Sequence, residues 1–292
     1  MPVLESNEIT RKVNEFYNIL PFNYSSSATF FANAIKAGNA IKINYPNLHQ
    51  IILNSTLQDV IDVGCGTGWF SNTIAFHYGH KVLAVDLCAP ALDRVREISS
   101  ELKTEGLVAT RRQDLFTLRG GAYSLVNSLG VLHHTHDCAL AVRTISALVG
   151  DGGFFHLGLY HKYGREPFLN LFTEQIRIIS RGGVLSEEEE GVAYDIFRKL
   201  NSNIKDETFL RSWFRDQVLH PHETQHTFEE VCEWMDGLGF RILSTSINGF
   251  QPIGDVEKLF QEEKKYHEIS VRKNVEEKVY FPGFFTVLAQ KA

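Results

Sequence analysis

The chain has 292 residues, 43% of them hydrophobic and 22% charged, which fits a globular protein with room for a substantial core. Its formal charge is -6 and no run of Lys or Arg exceeds two residues (Arg111-Arg112, Lys264-Lys265), so the basic stripe of a nucleic-acid binder is missing. Four widely spaced cysteines form no CxxC pair, which argues against a zinc ribbon or a disulfide framework and suits reduced thiols.

The opening "MPVLESNEITRKVNEF" places charges where a secretion signal needs an apolar run, and no apolar stretch is long enough to span a bilayer. A soluble cytoplasmic protein is expected, with neither a nucleic-acid nor a membrane partner. Residues 1–50 read as a helical extension broken at "LPFNYSSS" (Leu20 to Ser27), where Pro and the serines suit a loop and then a capped helix. From residue 59 short apolar strands alternate with helices: "DVIDVGC", "WFSNTIAFHY", "KVLAVDL", "PALDRVREISSEL", "LVATRRQDL", "YSLVNSLGVL", "CALAVRTISALV" and "FFHLGLY". Strands this apolar, spaced by helices, predict a parallel sheet covered on both faces. Residues 51–161 form this core.

Residues 162–226 break the alternation with consecutive helices and read as a helical insertion after the fifth strand. "PFLNLFTEQIRII" carries Phe168, Phe172 and Ile176 on one stripe, and "SEEEEGVAYDIFRKL" opens with Ser186 and Glu189 at capping-box spacing. Residues 227–292 return to the core with a capped helix, "TFEEVCEWMDGLGF", and two closing strands, "RILSTSI" and "GFFTVLAQKA". The fold class is therefore α/β, a doubly wound, mostly parallel seven-stranded sheet with an N-terminal helical extension and a helical lid.

Two motifs carry chemistry. In "VIDVGCGTGWF", Gly64, Gly66 and Gly68 lie between a strand and a helix, where glycines allow a sharp turn and close approach to a ligand at the helix start. A dinucleotide fingerprint requires a small residue where this chain has Trp69, so a nicotinamide oxidoreductase is disfavoured. Asp62, Asp86 and Asp114 end three successive strands at one rim. The second motif, "HPHETQH" (220–226), contains a match to H-E-x-x-H, which on a helix presents two histidines to zinc. Pro221 precedes it and Thr227 reads as the cap of the next helix, so a loop is expected, with no metal. His220, His222 or His226 is then placed to fold back toward a substrate.

Taken in order, "DVIDVGCGTG", "VLAVDL", "RRQDLF", "SLVNSLGVLHHTHD" and "LVGDGGFFHLGLY" resemble the successive motifs of the class I S-adenosylmethionine-dependent methyltransferases. The likeness is strongest to the ubiquinone/menaquinone-methyltransferase-like, small-molecule branch. It covers roughly residues 58–160 and resumes in the closing strands. Ser124 stands where that branch often has an acid. The resemblance implies a Rossmann-like methyltransferase fold, S-adenosylmethionine as cofactor and methyl transfer to an O, N or C atom of a small or medium-sized metabolite. It also implies that Gly64, Gly66 and Gly68 pass close to the methionine part and that Asp62 orients their loop. Asp86 would accept the ribose hydroxyls beside Leu87, Asp114 the adenine amino group beside Leu115, and Asn127 to Leu129 would line the floor beneath the sulfonium. His134 is the leading candidate for a base, followed by Tyr160 and His161 at the end of strand five. Tyr17, Phe22 and Tyr24 are candidates to close over the cofactor. A catalytically silent S-adenosylmethionine-binding scaffold is the alternative, since the same motifs would serve it.

Overall fold

The computed structural model describes residues 2–55 and 57–292. The chain opens with α1 (Pro2–Ile19), α2 (Ala28–Ala37), α3 (Ala40–Asn44) and α4 (Pro46–Asn54). Ser27 caps α2 by accepting from the Thr29 N–H. There follow β1 (Asp59–Val63), α5 (Trp69–Tyr78), β2 (Lys81–Asp86), α6 (Ala89–Leu102), β3 (Val108–Arg112), β4 (Tyr123–Leu129), α7 (Cys138–Ser146) and β5 (Val149–Tyr160). The insertion holds α8 (Lys162–Leu169), α9 (Thr173–Ser180), α10 (Glu187–Leu200) and α11 (Glu207–Val218). The chain closes with α12 (Phe228–Gly237), β6 (Phe240–Thr245), α13 (Val256–Glu262), α14 (Tyr266–Ser270) and β7 (Phe284–Lys291).

The seven strands form one sheet in the order β3-β2-β1-β4-β5-β7-β6. The first five run parallel, and β7 lies antiparallel to both β5 and β6. Alternation along each strand sends side chains to two cores. Val60, Val82 and Leu125 meet Leu48, Ile52, Phe70 and Ile74 on one face, while Ile61, Val126 and Phe155 meet α7 and α12 on the other. Strand order reverses between β1 and β4, the switch point at which open sheets of this kind leave a crevice beyond the carboxyl ends of their strands.

The insertion has a core of its own. Phe168, Phe172, Phe197 and Phe214 are fully buried in one cluster, so these aromatics cover one another and not the rim of the sheet. Only one face of α11 looks back. A second insertion, residues 246–283 between β6 and β7, was not anticipated: apart from the strands, the C-terminal segment carries α13, α14 and a helical turn through Val271–Glu276. Its residues "EEKKYHEIS" have too weak an apolar rhythm to stand out. No described helix is long and apolar enough to cross a membrane.

Candidate active site

The glycine loop follows β1 at the switch point. Gly64, Gly66 and Gly68 all have positive φ (71°, 52° and 80°), a conformation other residues adopt at a cost. A Cβ on Gly64 would also collide with Val131, and one on Gly68 with Val95, whereas a Cβ on Gly66 would meet open space. The loop is tied to the neighbouring strand, for the N–H groups of Gly64 and Cys65 both donate to the Val85 carbonyl. Asp86 then caps it, one carboxylate oxygen accepting from the Gly66 N–H at 2.9 Å and the other from the Cys88 N–H at 2.8 Å. Because a carboxylate oxygen has two lone pairs, Asp86 keeps acceptor capacity for a ligand hydroxyl. Burial raises its pKa above the usual range.

Asp62 braces the loop from below. It accepts from Ser71 of α5 at 2.6 Å and from Asn127 of β4 at 2.8 Å. The Asn127 amide oxygen in turn accepts from His156 Nδ1 at 2.8 Å. Desolvation pushes Asp62 up to about 6 and His156 down to about 3.

These residues border a cavity of about 740 Å³, inside the range of small-ligand sites. Asp86 and Leu87 after β2, Asp114 and Leu115 after β3, and Asn127 and Leu129 on β4 line it together with the glycine loop. Asp114 uses one oxygen to hold the Phe116 N–H at 2.9 Å. From above, the cavity is closed by Tyr17 of α1, Phe22, and the face of α11 that bears Phe209, Trp213, Asp216 and Gln217.

His134 and Tyr160 also line the cavity. His134 Nδ1 lies 2.9 Å from the His222 carbonyl, so the neutral ring carries its proton there. Its Nε2 is buried and has no hydrogen-bond partner among the described residues. His220 packs against the ring at a tilt of 31°, 3.7 Å between centroids. The "HPHETQH" stretch is the predicted loop, and its backbone does the positioning: besides the His222 carbonyl, the Thr224 N–H donates to the His133 carbonyl at 2.8 Å. Its Glu223 pairs with fully buried Arg165 at 2.7 Å, an attraction that outweighs desolvation and holds the Glu223 carboxyl below its usual range.

The Tyr160 hydroxyl accepts from Gln217 at 2.6 Å and donates to Asp216 at 3.3 Å, and Tyr17 donates to the other Asp216 oxygen at 2.5 Å. Burial raises the Asp216 pKa.

Three candidates do not line the cavity: Gly68, whose N–H donates to the Cys65 carbonyl within the loop, His161 and Tyr24. His161 is fully buried, with Nε2 2.8 Å from Glu263 and Nδ1 accepting from the Gly164 N–H at the start of α8. Both ring nitrogens are therefore committed to joining β5, α8 and the second insertion. Tyr24 turns from the ligand side and lies beneath the Arg94 guanidinium, 4.1 Å from its ring centre. Asp216 and Gln217 were missed, although the spacing Phe209, Trp213, Asp216, Gln217 is one helical face. A carboxylate continuing that aromatic stripe one turn beyond Trp213 was the available signal.

A methyltransferase-domain family matches residues 61–157. A ubiquinone biosynthesis O-methyltransferase of Bordetella avium is 35% identical over 127 residues, which are 42% of this chain and 52% of that protein. An uncharacterized protein of Synechococcus is 22% identical over 259 residues, 82% of this chain and 61% of that protein. The chain thus spans between half and two thirds of the length of these curated relatives. Among solved structures, an S-adenosylmethionine dependent methyltransferase from Mesorhizobium loti shares the fold with a TM-score of 0.51 at 20% identity, covering 87% of this chain and all of that one. Strand order, glycine loop and the domain matched over residues 61–157 agree with one another and support a class I S-adenosylmethionine-dependent methyltransferase.

Proposed function

We propose that this protein moves the methyl group of S-adenosylmethionine to an oxygen of a small acceptor, with His134 receiving the acceptor's proton. The reading rests on one juxtaposition: the glycine loop and Asp86 border one side of the cavity, and His134, with an unpartnered Nε2, borders the other. The residues fit the cofactor. Gly66 leaves open space where a side chain would stand, the first turn of α5 has N–H groups without partners in the helix, and Asp86 and Asp114 each keep acceptor capacity. The cofactor, when bound, supplies an activated methyl on a sulfonium. The chain's part is to hold the acceptor in line, exclude water and take up the proton at His134 Nε2 as the new O–C bond forms. The relatives named as O-methyltransferases support an oxygen acceptor. Thermal shift tests the cofactor assignment, since a ligand that binds the folded state raises the midpoint by mass action. S-adenosylhomocysteine should raise it and NAD should not. A shift with NAD alone would overturn the reading.

A further inference from the structure

Glu223, the glutamate of the "HPHETQH" stretch, does not line the cavity, yet its neighbours on both sides touch the turn that carries His134. From Leu219 to Gln225 the chain is neither helix nor strand, so no regular ladder of hydrogen bonds decides where its peptide groups point. Two of them are nevertheless aimed. The His222 carbonyl meets His134 Nδ1 at 2.9 Å, and the Thr224 N–H donates to the His133 carbonyl at 2.8 Å. The peptide group that orients His134 is therefore the one joining His222 to Glu223. A second tether acts on the side chain, where His222 Nε2 lies 3.0 Å from the Thr135 carbonyl.

Glu223 is held by Arg165 of α8. Its carboxylate accepts from Nε at 3.0 Å and from Nη2 at 2.7 Å, a two-pronged geometry that a guanidinium matches and an ammonium does not. Nη1 donates to the Gln217 side-chain oxygen at 2.9 Å and to the Pro282 carbonyl at 3.4 Å, and Nη2 donates also to the Gln217 carbonyl at 2.9 Å. All five N–H groups of this fully buried side chain thus have acceptors. The Gln217 carbonyl is among the last four of α11, which lack partners within the helix. The Gln217 amide goes on to donate to the Tyr160 hydroxyl and to Asp216, both at 2.6 Å. One cation therefore fixes the loop on one side and the end of α11 on the other. Apolar side chains of similar size often serve stability as well as a buried ion pair does. What they cannot do is direct hydrogen bonds.

We propose that Arg165 and Glu223 are positioning residues for methyl transfer: the pair fixes the peptide after His222, so that His134 keeps its proton on Nδ1 and presents Nε2 to the acceptor. The inference rests on the proposed role of His134 as base. Proton–nitrogen correlation spectra of the full chain, with isotope-labelled histidine in mildly alkaline buffer, read the tautomer of each ring, and His134→Gln identifies the signal of His134. The wild type should show the Nδ1–H form alone. The double variant Arg165→Met/Glu223→Met should fold but lose that single pattern and show the Nε2–H form beside it, because the freed peptide no longer decides between the nitrogens. If it does not fold, Glu223→Gln, whose amide oxygen still serves Arg165, is read in its place. An unchanged Nδ1–H pattern in a folded variant would overturn the inference and leave His134 as the base. Failure of both variants to fold would overturn it too, since the pair would then serve folding first. A wild type in the Nε2–H form would overturn the proposed base, and this inference with it.

Discussion

His134 is aimed by a carbonyl from a loop 88 residues further along the chain, at His222. That contact fixes which nitrogen is basic, a choice the ring cannot make alone. His134→Gln should keep S-adenosylhomocysteine affinity but lose transfer by roughly 10²- to 10⁴-fold, the usual worth of a positioned base. The loss should shrink as pH rises, because an acceptor that ionises by itself needs no base, and a pH–rate profile checks this. A loss constant across pH would leave His134 a structural role only. Asp62 gives a stability prediction. Its pKa is about 6 in the folded chain against about 4 unfolded, so the folded state holds the proton more tightly. Its contribution favours folding fully below about pH 4 and is lost as pH rises through about 6. Urea unfolding of the wild type and Asp62→Asn should therefore show the stability difference moving toward the variant by up to ~3 kcal/mol between pH 4 and pH 7. A pH-independent difference would mean that Asp62 is ionised at an ordinary value. Both residues stood out in the sequence by their motifs. Asp216 did not, because what makes it notable is contact with Tyr17 and Tyr160, far away in the chain.

At the scale of elements, the sequence-based expectation was a mobile lid over 162–226. The structure divides that segment. α8 is pinned by Arg165, fully buried and bonded to Glu223 and Gln217, and Phe168, Phe197 and Phe214 pack among themselves. The cavity is closed instead by one face of α11 and by α1 with the loop after it. Trp213 Nε1 donates to Asn23 at 2.5 Å, and Tyr17 to Asp216. Hydrogen exchange should therefore slow on S-adenosylhomocysteine binding in residues 8–27 and in α11, with little change in α8 and α10. Slowing that extends equally through α8, α9 and α10 would restore the whole insertion as the lid. The aromatic stripes were legible, but not the partner of each. Phe209 and Phe214 lie on one helix and face opposite ways, and periodicity alone does not say which face meets which neighbour. The capping residues were read more securely because their effect is local: Ser186 and Glu189 form the reciprocal cap at the start of α10.

For the molecule as a whole, a parallel sheet covered on both faces was legible in runs such as "DVIDV" and "KVLAVD", whose apolarity on both faces requires cover on both sides, whereas the order of the strands was not. The second insertion between β6 and β7 was illegible for the opposite reason, since its helices are short and largely polar on the surface. It nevertheless brings Tyr280 and Pro282 to the cavity, so the site is assembled from the N-terminal extension, the core and both insertions. The proposed function requires the switch-point cavity to bind S-adenosylmethionine through the glycine loop and Asp86. Calorimetric titration of S-adenosylhomocysteine into the wild type and Asp86→Ala tests it most directly. One-site binding to the wild type, weakened by at least about 2 kcal/mol in the variant, is predicted from the loss of a buried charged acceptor. Unchanged affinity in Asp86→Ala, or no binding to the wild type, would contradict it.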